Sequence, residues 1–210
     1  TYADIQARFT FAGDVCGRSN ITSYKTFNIN GGAIETSGLD FQLNADVGTW
    51  ADIEVTAGVD GTYLLTYDES PYTIEGFATA GGLVQERPGT MRAGAFVSYP
   101  EWRANAFFNL AKGNHNFRWQ TRYVSETEHS EATPRALAAA FGQSVMLGEY
   151  FQHDITYRLD LPDYEAQLTL GVQNLFDEEP PFAFAMQYNY DPTTVNPLGR
   201  VYQIGVKKQF

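Results

Sequence analysis

The chain has 210 residues, of which 43% are hydrophobic and 15% aromatic, and its formal net charge is -11. This composition is typical of an ordered protein and excludes a disordered or fibrous chain. The acidic balance also excludes a nucleic-acid partner, because phosphate binding needs clustered basic side chains and the 14 Lys and Arg are scattered. A single cysteine, Cys16, excludes an internal disulfide framework.

The first predicted strands follow one another in the first third of the chain. No apolar stretch approaches the roughly 18 residues that a membrane-spanning helix needs. Residues 39–46 instead alternate between apolar and polar side chains, as a two-sided strand does. The alternation resumes at residue 53 and continues toward residue 67, after a predicted connection over residues 47–51. Two strands of a sheet are therefore expected here.

A long loop and a hairpin are predicted next. Residues 68–101 are rich in Gly, Pro and acidic groups and have no sustained period, which predicts a loop, with a short β-ribbon near residues 93–99. Residues 103–110 and 117–123 alternate again. The turn between them contains Gly113-Asn114, a favourable pair for a tight turn, so the two segments are expected to form a hairpin.

A second long loop, residues 125–149, contains the one predicted helix. Thr133 is a suitable N-cap residue, and Pro134 suits the first helical position. Residues 135–141 follow, which are apolar after Arg135, and Gly142 is a typical C-terminal stop signal. A short helix inside a loop is therefore expected.

Three more strands are predicted in the last third of the chain, at residues 151–160, 166–173 and 201–210. A short turn at residues 162–165 joins the first two, and a Pro-rich loop at residues 177–198 precedes the last. From residue 39 onward the connections therefore alternate between short and long.

These features predict an all-β fold, a segment of an antiparallel transmembrane β-barrel. Outer-membrane barrels have short periplasmic turns, long extracellular loops and a polar interior, and the predicted connections and charged strand faces match this pattern. Seven strands are an odd number, whereas bacterial barrels close with even numbers, so the chain is interpreted as part of a larger barrel. A self-contained β-barrel or β-sandwich with a ligand-binding or structural role is the alternative.

Three sequence stretches carry a resemblance to a known family. They are residues 30–41 (NGGAIETSGLDF), residues 171–181 (GVQNLFDEEPP), and residues 198–202 (LGRVY) with the terminal Phe210. Over residues 20–210 the chain is similar to the C-terminal part of TonB-dependent outer-membrane receptors. The residues that match the motifs of the family are Gly38, Asp40, Asn174, Leu175, Phe176, Asp177, Gly199 and Arg200.

The resemblance implies a 22-stranded barrel with a plugged lumen, of which this chain would form the last seven strands. Residues 1–38 would form an extracellular loop that leads into the first strand, and residues 39–210 the C-terminal barrel strands. The plug domain and the N-terminal strands would lie outside the chain. The C-terminus would face the periplasm.

The resemblance also implies a function in the bacterial outer membrane. The protein would be an active-transport receptor for a scarce ligand such as a ferric siderophore, a cobalamin-like cofactor or an oligosaccharide. The expected partners are outer-membrane lipid, the ligand, the barrel assembly machinery, and a TonB-type energy-coupling protein that contacts the missing N-terminal part. The sequence contains no catalytic constellation, so neither enzyme activity nor a cofactor or metal centre is predicted.

Four groups of residues are candidates for specific roles. An apolar last strand that ends in an aromatic resembles the signal read by the assembly machinery, carried by Tyr202, Ile204, Val206 and Phe210. An acidic loop cluster could bind a cation or a ferric chelate, or could be a solvated loop, and consists of Glu126, Glu128, His129 and Glu131. Asn174 and Asp177 are expected to form a turn or hydrogen bonds at the base of a loop. Cys16 could pair with a cysteine outside this chain.

Two larger sets are predicted from the faces of the strands. Interfacial aromatic girdles are expected at Trp50, Trp119, Tyr123, Tyr150, Phe151 and Tyr157. Charged residues expected to line the lumen, and to pair with each other or contact the plug, are Arg103, Arg118, Arg122, Arg158, Asp40, Asp46, Glu54, Asp60, Asp154 and Asp160.

Overall fold

The computed structural model describes residues 9–14, 20–25, 30–74, 77–78, 82–92, 97–184, 186 and 188–208. Cys16 and Phe210 lie outside the described residues, so the predictions about a partner for Cys16 and an aromatic C-terminal signal remain predictions. The chain divides into two compact units, the first comprising Thr1–Thr36 and Tyr67–Glu86, the second Ser37–Thr66 and Arg87–Phe210. Within the described part of the chain, no helix is long and apolar enough to cross a membrane.

The strands are β1 (Phe9–Phe11), β2 (Ile21–Tyr24), β3 (Ile34–Trp50), β4 (Ile53–Glu69), β5 (Thr73–Ile74), β6 (Phe77–Ala78), β7 (Gln85–Glu86), β8 (Thr90–Arg92), β9 (Val97–Tyr99), β10 (Trp102–Lys112), β11 (His115–Val124), β12 (Thr127–His129), β13 (Met146–Leu147), β14 (Tyr150–Leu161), β15 (Ala166–Gln173) and β16 (Val201–Lys208). One α-helix, α1, spans Ala132–Ala140. Short 3-10 turns cover Ala12–Asp14 and Pro162–Tyr164.

The first unit consists of small β-pairs. Strands β1 and β2 are antiparallel, with Phe9 opposite Tyr24. Strands β5 and β6 form a minimal antiparallel ribbon. Strand β7 pairs with the end of β4, where Asp68 lies opposite Glu86. This unit holds most of the long connection that the sequence predicted between residues 68 and 101.

The second unit is dominated by one large antiparallel sheet in the order β16-β15-β14-β11-β10-β4-β3. Each long strand pairs with the next long strand along the chain, which confirms the prediction of an all-β, mostly antiparallel fold. Strands β3 and β16 have a neighbour on one side only within the described residues, so this sheet is open. The total of 22 barrel strands remains a prediction.

All three short connections lie at the same end of the sheet. The β10–β11 turn is the predicted one, with Lys112 opposite His115 and Gly113 at a φ of 54°. The predicted connection over residues 47–51 is wrong, because β3 continues to Trp50 and only Ala51 and Asp52 form the turn. Both of these residues have positive φ, 50° and 61°, as the two central positions of a type I′ hairpin turn require.

The register assigns the side chains of the sheet to an apolar face and a polar face. Phe108 lies opposite Trp119, Trp119 opposite Ile155, and Ile155 opposite Val172. Residues directly opposite each other share a face, so the predicted apolar side chains lie together. The apolar face is open, and Ile204 on it is 78% exposed. An exposed apolar surface of this kind is what a lipid-facing band requires.

The connections at the opposite end form a second layer of structure. Strands β13, β12, β8 and β9 make a small sheet, in which β12 runs parallel to β8 and the other pairs are antiparallel. The predicted ribbon near residues 93–99 corresponds to β8 and β9, although residues 93–96 lie outside the described residues. Small strands therefore tie two of the long loops to each other.

Helix α1 begins earlier than predicted. Its N-cap is Glu131, an extended residue that makes no side-chain capping hydrogen bond, so Thr133 is not the cap and lies inside the first turn. The C-terminal stop is as predicted, since Gly142 has a φ of 64° and Gln143 N donates to Ala138 O. The side chain of Ala138 is fully buried, which fixes the face that the helix turns inward.

Candidate functional site

Three long loops of the second unit pack into one body, which we call the loop module: residues 87–101, 125–149 and 174–200. Its main apolar cluster takes Met91 from the first loop, Leu147 from the second, and Ala183 and Met186 from the third. All four side chains are at most 5% exposed. The loops are therefore held by a shared small core and do not extend separately into solvent.

His129 lies at the centre of the loop module. Its side chain is fully buried, and its Nε2 lies 2.6 Å from the carbonyl oxygen of Phe184 in the third loop. Because a carbonyl oxygen only accepts, Nε2 must carry the proton. Nδ1 is buried and has no hydrogen-bond partner among the described residues. This histidine therefore cross-links two loops.

The predicted acidic ligand cluster is not assembled into a single site. Arg135 forms an ion pair with Glu128 and also donates to the carbonyl of His129. His129 points into the module, Glu126 is exposed, and Glu131 caps helix α1. No group of three or more His, Cys, Asp or Glu side chains in the described part could hold a metal ion. Ligand contact by these four residues remains a prediction.

The base of the third loop is fixed by two residues of the family motif. Asn174 is 2% exposed, and its side chain donates to Glu178 O at 2.9 Å and accepts from Glu178 N at 2.8 Å. Its backbone N donates to Asp154 Oδ1 at 2.8 Å, which connects the loop to β14. Its φ of 52° is left-handed, a conformation that Asn tolerates better than most residues.

The two ends of this loop meet at Asp177. Its Oδ1 accepts from the backbone N of Arg200 at 2.7 Å. A Cβ on Gly199 would lie 2.6 Å from the same oxygen, so a larger residue there would displace the carboxylate. The guanidinium of the exposed Arg200 donates a hydrogen bond to the hydroxyl of Tyr202, and this bond raises the pKa of Arg200. Leu175 and Phe176 lie in the turn between Asn174 and Asp177, and the ring of Phe176 lies tilted beside that of Trp119, with 6.0 Å between the centroids.

Part of the third loop folds back against the polar face of the large sheet. Asp191 is fully buried, and its carboxylate accepts three hydrogen bonds, from Thr193 N, Thr193 Oγ1 and Thr194 Oγ1. Val195 packs beside Val124, the last residue of β11, and Tyr150, the first residue of β14. The segment that presents Thr193 and Thr194 to the sheet is therefore rigidly shaped.

A polar cleft of about 580 Å³ lies between this segment and the sheet. Its charged and hydrogen-bonding lining residues are Asp40, Gln42, Asp60, Arg103, Asn105, Arg122, Thr193 and Thr194. The volume is within the range of small-molecule binding sites, about 300–1,000 Å³. Strands β3, β4, β10 and β11 supply the floor of the cleft, and the third loop supplies its edge.

The two aspartates of the cleft accept hydrogen bonds from neutral side chains. Thr62 Oγ1 donates to Asp40 Oδ1 at 2.6 Å, and Asn105 Nδ2 donates to Asp60 Oδ2 at 2.9 Å. The motif residue Gly38 is needed on the same strand, since a Cβ there would lie 2.7 Å from the backbone oxygen of Tyr63. The motif residues Gly38 and Asp40 thus act where β3 joins β4.

The predicted pairing between charged residues of this face is wrong for the described residues. None of Arg103, Arg118, Arg122 and Arg158 forms an ion pair there, and Arg118 instead lies over the ring of Phe107, 3.8 Å from its centroid. The guanidinium groups of Arg103 and Arg122 are therefore available to a ligand or to a plug domain. Contact with a plug remains a prediction.

Aromatic side chains gather on the apolar face near the loop module. Trp102 stacks on Tyr63 with 4.3 Å between centroids, and Tyr123 lies 4.7 Å from Phe151. Tyr150, which was predicted for a girdle, is 2% exposed and packs on the opposite face, so that assignment is wrong. Sequence reasoning missed Trp102 and Tyr63. Tyr63 lies inside the predicted second strand and Trp102 one residue before the predicted third, and the alternation of these strands places both on the apolar face.

The residues of the predicted assembly signal that lie in the last strand, β16, have exposed side chains. Tyr202, Ile204 and Val206 are 69%, 78% and 72% exposed and lie on the apolar face of β16, whose other edge has no neighbour among the described residues. Their role as an assembly signal remains a prediction.

Comparison with known proteins gives one match. A family model described as "TonB dependent receptor-like, beta-barrel" matches residues 1–175. No curated protein and no solved structure matches the chain. The match covers six of the seven long strands, from β3 to β15, and leaves β16 and most of the third loop outside.

Proposed function

Because the chain belongs to the TonB-dependent receptor-like β-barrel family, a family of outer-membrane receptors and transporters, we propose that it takes part in energised uptake of a scarce ligand across the outer membrane. The ligand class would be a ferric siderophore, a cobalamin-like cofactor or an oligosaccharide. A TonB-type protein would supply the energy through a plug domain outside this chain.

The observation that carries this proposal is the polar cleft beside the loop module. Arg103 and Arg122 make no ion pair with any described residue, and Asn105 and the two threonines of the third loop add hydrogen-bonding groups. A surface that combines positive charge with neutral hydrogen-bonding groups suits a polar ligand, or a plug domain that would release the ligand. Packed loops at the same end of the sheet would limit entry into the cleft to ligands that fit.

The exposed apolar face argues against the alternative of a soluble β-sandwich. A sandwich buries one face of each sheet against the other. Leu43 and Ile204 are 64% and 78% exposed, and lie on strands near opposite edges of the large sheet. Apolar side chains left open over a whole sheet favour contact with lipid, where they would be covered by acyl chains.

Uptake by the native organism tests the proposal. Strains that lack the protein, strains that lack the TonB-type protein, and the parent would be grown with a limiting supply of ferric siderophore, cobalamin or oligosaccharide. We expect both deletions to abolish growth on the same ligand. Normal growth of the strain without this protein on all ligands of all three classes would contradict a role in uptake.

Substitutions in the cleft test whether it is the relevant surface. Arg103→Gln and Arg122→Gln should each reduce uptake at limiting ligand by about 10- to 150-fold if each loses a charged hydrogen bond of roughly 1.5–3 kcal/mol. Arg158→Gln is the matched control, since Arg158 lies on the same face but outside the cleft. Equal effects of all three changes, at equal surface abundance, would exclude a special role of the cleft.

A further inference from the structure

Three hydroxyl groups at the root of the loop module are buried without a hydrogen-bond partner among the described residues. They belong to Ser98, Thr127 and Tyr150, which are 6%, 2% and 2% exposed. A buried hydroxyl that bonds to nothing opposes folding, since it loses its hydrogen bonds to solvent. Three such groups in one place call for a physical explanation.

The three residues line the same small cavity. Its volume is about 10 Å³, and the rest of its wall includes Pro100, Val124 and Val195. A space of this size is about that of one water molecule, and too small for any organic ligand. The three residues therefore line one cavity whose volume matches a single small hydrogen-bonding molecule.

We propose that this cavity binds one structural water that hydrogen-bonds to Ser98 Oγ, Thr127 Oγ1 and Tyr150 Oη. A water can donate two hydrogen bonds and accept two, and each hydroxyl can do either, so all three groups can be satisfied together. Buried waters in proteins make about three such bonds on average. The three orphan groups thus find the partner that the protein itself does not supply.

The water connects three separate parts of the chain. Ser98 lies in β9 of the first loop, Thr127 in β12 of the second, and Tyr150 is the first residue of β14 in the large sheet. A shared water would therefore hold two loops against the wall of the barrel. This inference is independent of the transported ligand, so failure of the uptake experiment would leave it untouched.

Removal of single hydroxyls tests the proposal, because the expected change in Tm differs in direction with and without a bound water. Ser98→Ala and Tyr150→Phe would be made in the full receptor, purified from outer membranes in detergent, and thermal unfolding would be followed. With a bound water, each change should lower Tm by about 1 °C, because the water loses a bond. Without one, each change removes an unpaired polar group and should leave Tm unchanged or raise it.

The double variant sharpens the distinction. Two hydroxyls that bind the same water are coupled, so the combined loss in Tm should be clearly smaller than the sum of the single losses. Tyr164→Phe is the matched control, since Tyr164 is 70% exposed in a turn and should leave Tm unchanged. Additive losses from Ser98→Ala and Tyr150→Phe would overturn the shared water.

A direct measurement remains decisive if the variants fail to fold. A crystal structure of the unmodified receptor at a resolution that shows ordered solvent should contain a density peak within about 3.2 Å of all three hydroxyl oxygens. A cavity without such a peak, or hydroxyls that bond directly to one another, would overturn the proposal.

Discussion

Replacement of Asn174 should destabilise the fold by releasing the base of the third loop. Asn174→Ala removes both side-chain hydrogen bonds to the backbone of Glu178. Each is worth about 0.5–1.5 kcal/mol net. Alanine must also adopt the φ of 52°, which costs about 1–2 kcal/mol for a residue without a local side-chain hydrogen bond. We expect a total loss of about 2–5 kcal/mol in the free energy of unfolding.

A second substitution at the same position separates the two contributions. Asn174→Gly permits the left-handed conformation but makes no side-chain hydrogen bond, so it should cost less than Asn174→Ala by about 1 kcal/mol. Asn196→Ala is the control, since Asn196 lies in the same loop, is exposed, and makes only a local bond to Leu198 N. It should cost about 0.5 kcal/mol or less.

The assay is equilibrium urea unfolding of the receptor in lipid vesicles, followed by tryptophan fluorescence. A result for Asn174→Ala no larger than that for Asn196→Ala would refute the reasoning, because it would show that the buried amide does not hold the loop base. Equal losses for Asn174→Ala and Asn174→Gly would refute only the contribution of the backbone conformation.

Two further changes address the large sheet. Gly38→Ala should lower the free energy of unfolding by about 1–3 kcal/mol, because the added Cβ would lie 2.7 Å from the backbone oxygen of Tyr63, which cannot move without a shift of the strand. The unfolding temperature on semi-native gels would show this loss. An unfolding temperature equal to that of the parent would contradict the prediction. Ile204→Arg should cost about 2–4 kcal/mol in vesicles if the apolar face meets lipid, whereas Gln203→Arg on the polar face should cost about 0–1 kcal/mol. Similar values for these two arginines would argue against a lipid-facing β16.

The large sheet was predictable because each strand carries its own signal. Alternation along a strand needs no knowledge of distant residues, and it correctly placed the apolar residues of β10, β11 and β14 on one face. The Gly113-Asn114 turn was equally local. The turn after β3 was missed because Ala51 is not a residue that usually takes positive φ, and Asp52, which tolerates it better, is only a weak signal without a glycine beside it.

The loop module was not predictable from local patterns. His129 and Phe184 are 55 residues apart, and the bond between them depends on how two loops meet. Met91, Leu147 and Met186 follow no common period, so their shared core has no sequence signature. The acidic residues near His129 looked like a ligand cluster, but the alternation of the three-residue strand β12 turns Thr127 and His129 inward and leaves Glu128 to pair with Arg135.

The shared core of the loop module limits how such receptors can be recombined. A hybrid that receives only the third loop from another receptor would have to supply a carbonyl for His129 and apolar side chains of the right size beside Met91 and Leu147. Grafting of single loops should therefore cause misfolding more often than transfer of all three loops together. New ligand preferences in this architecture are expected to arise by exchange of the whole module, or by substitutions in the cleft that leave its core intact.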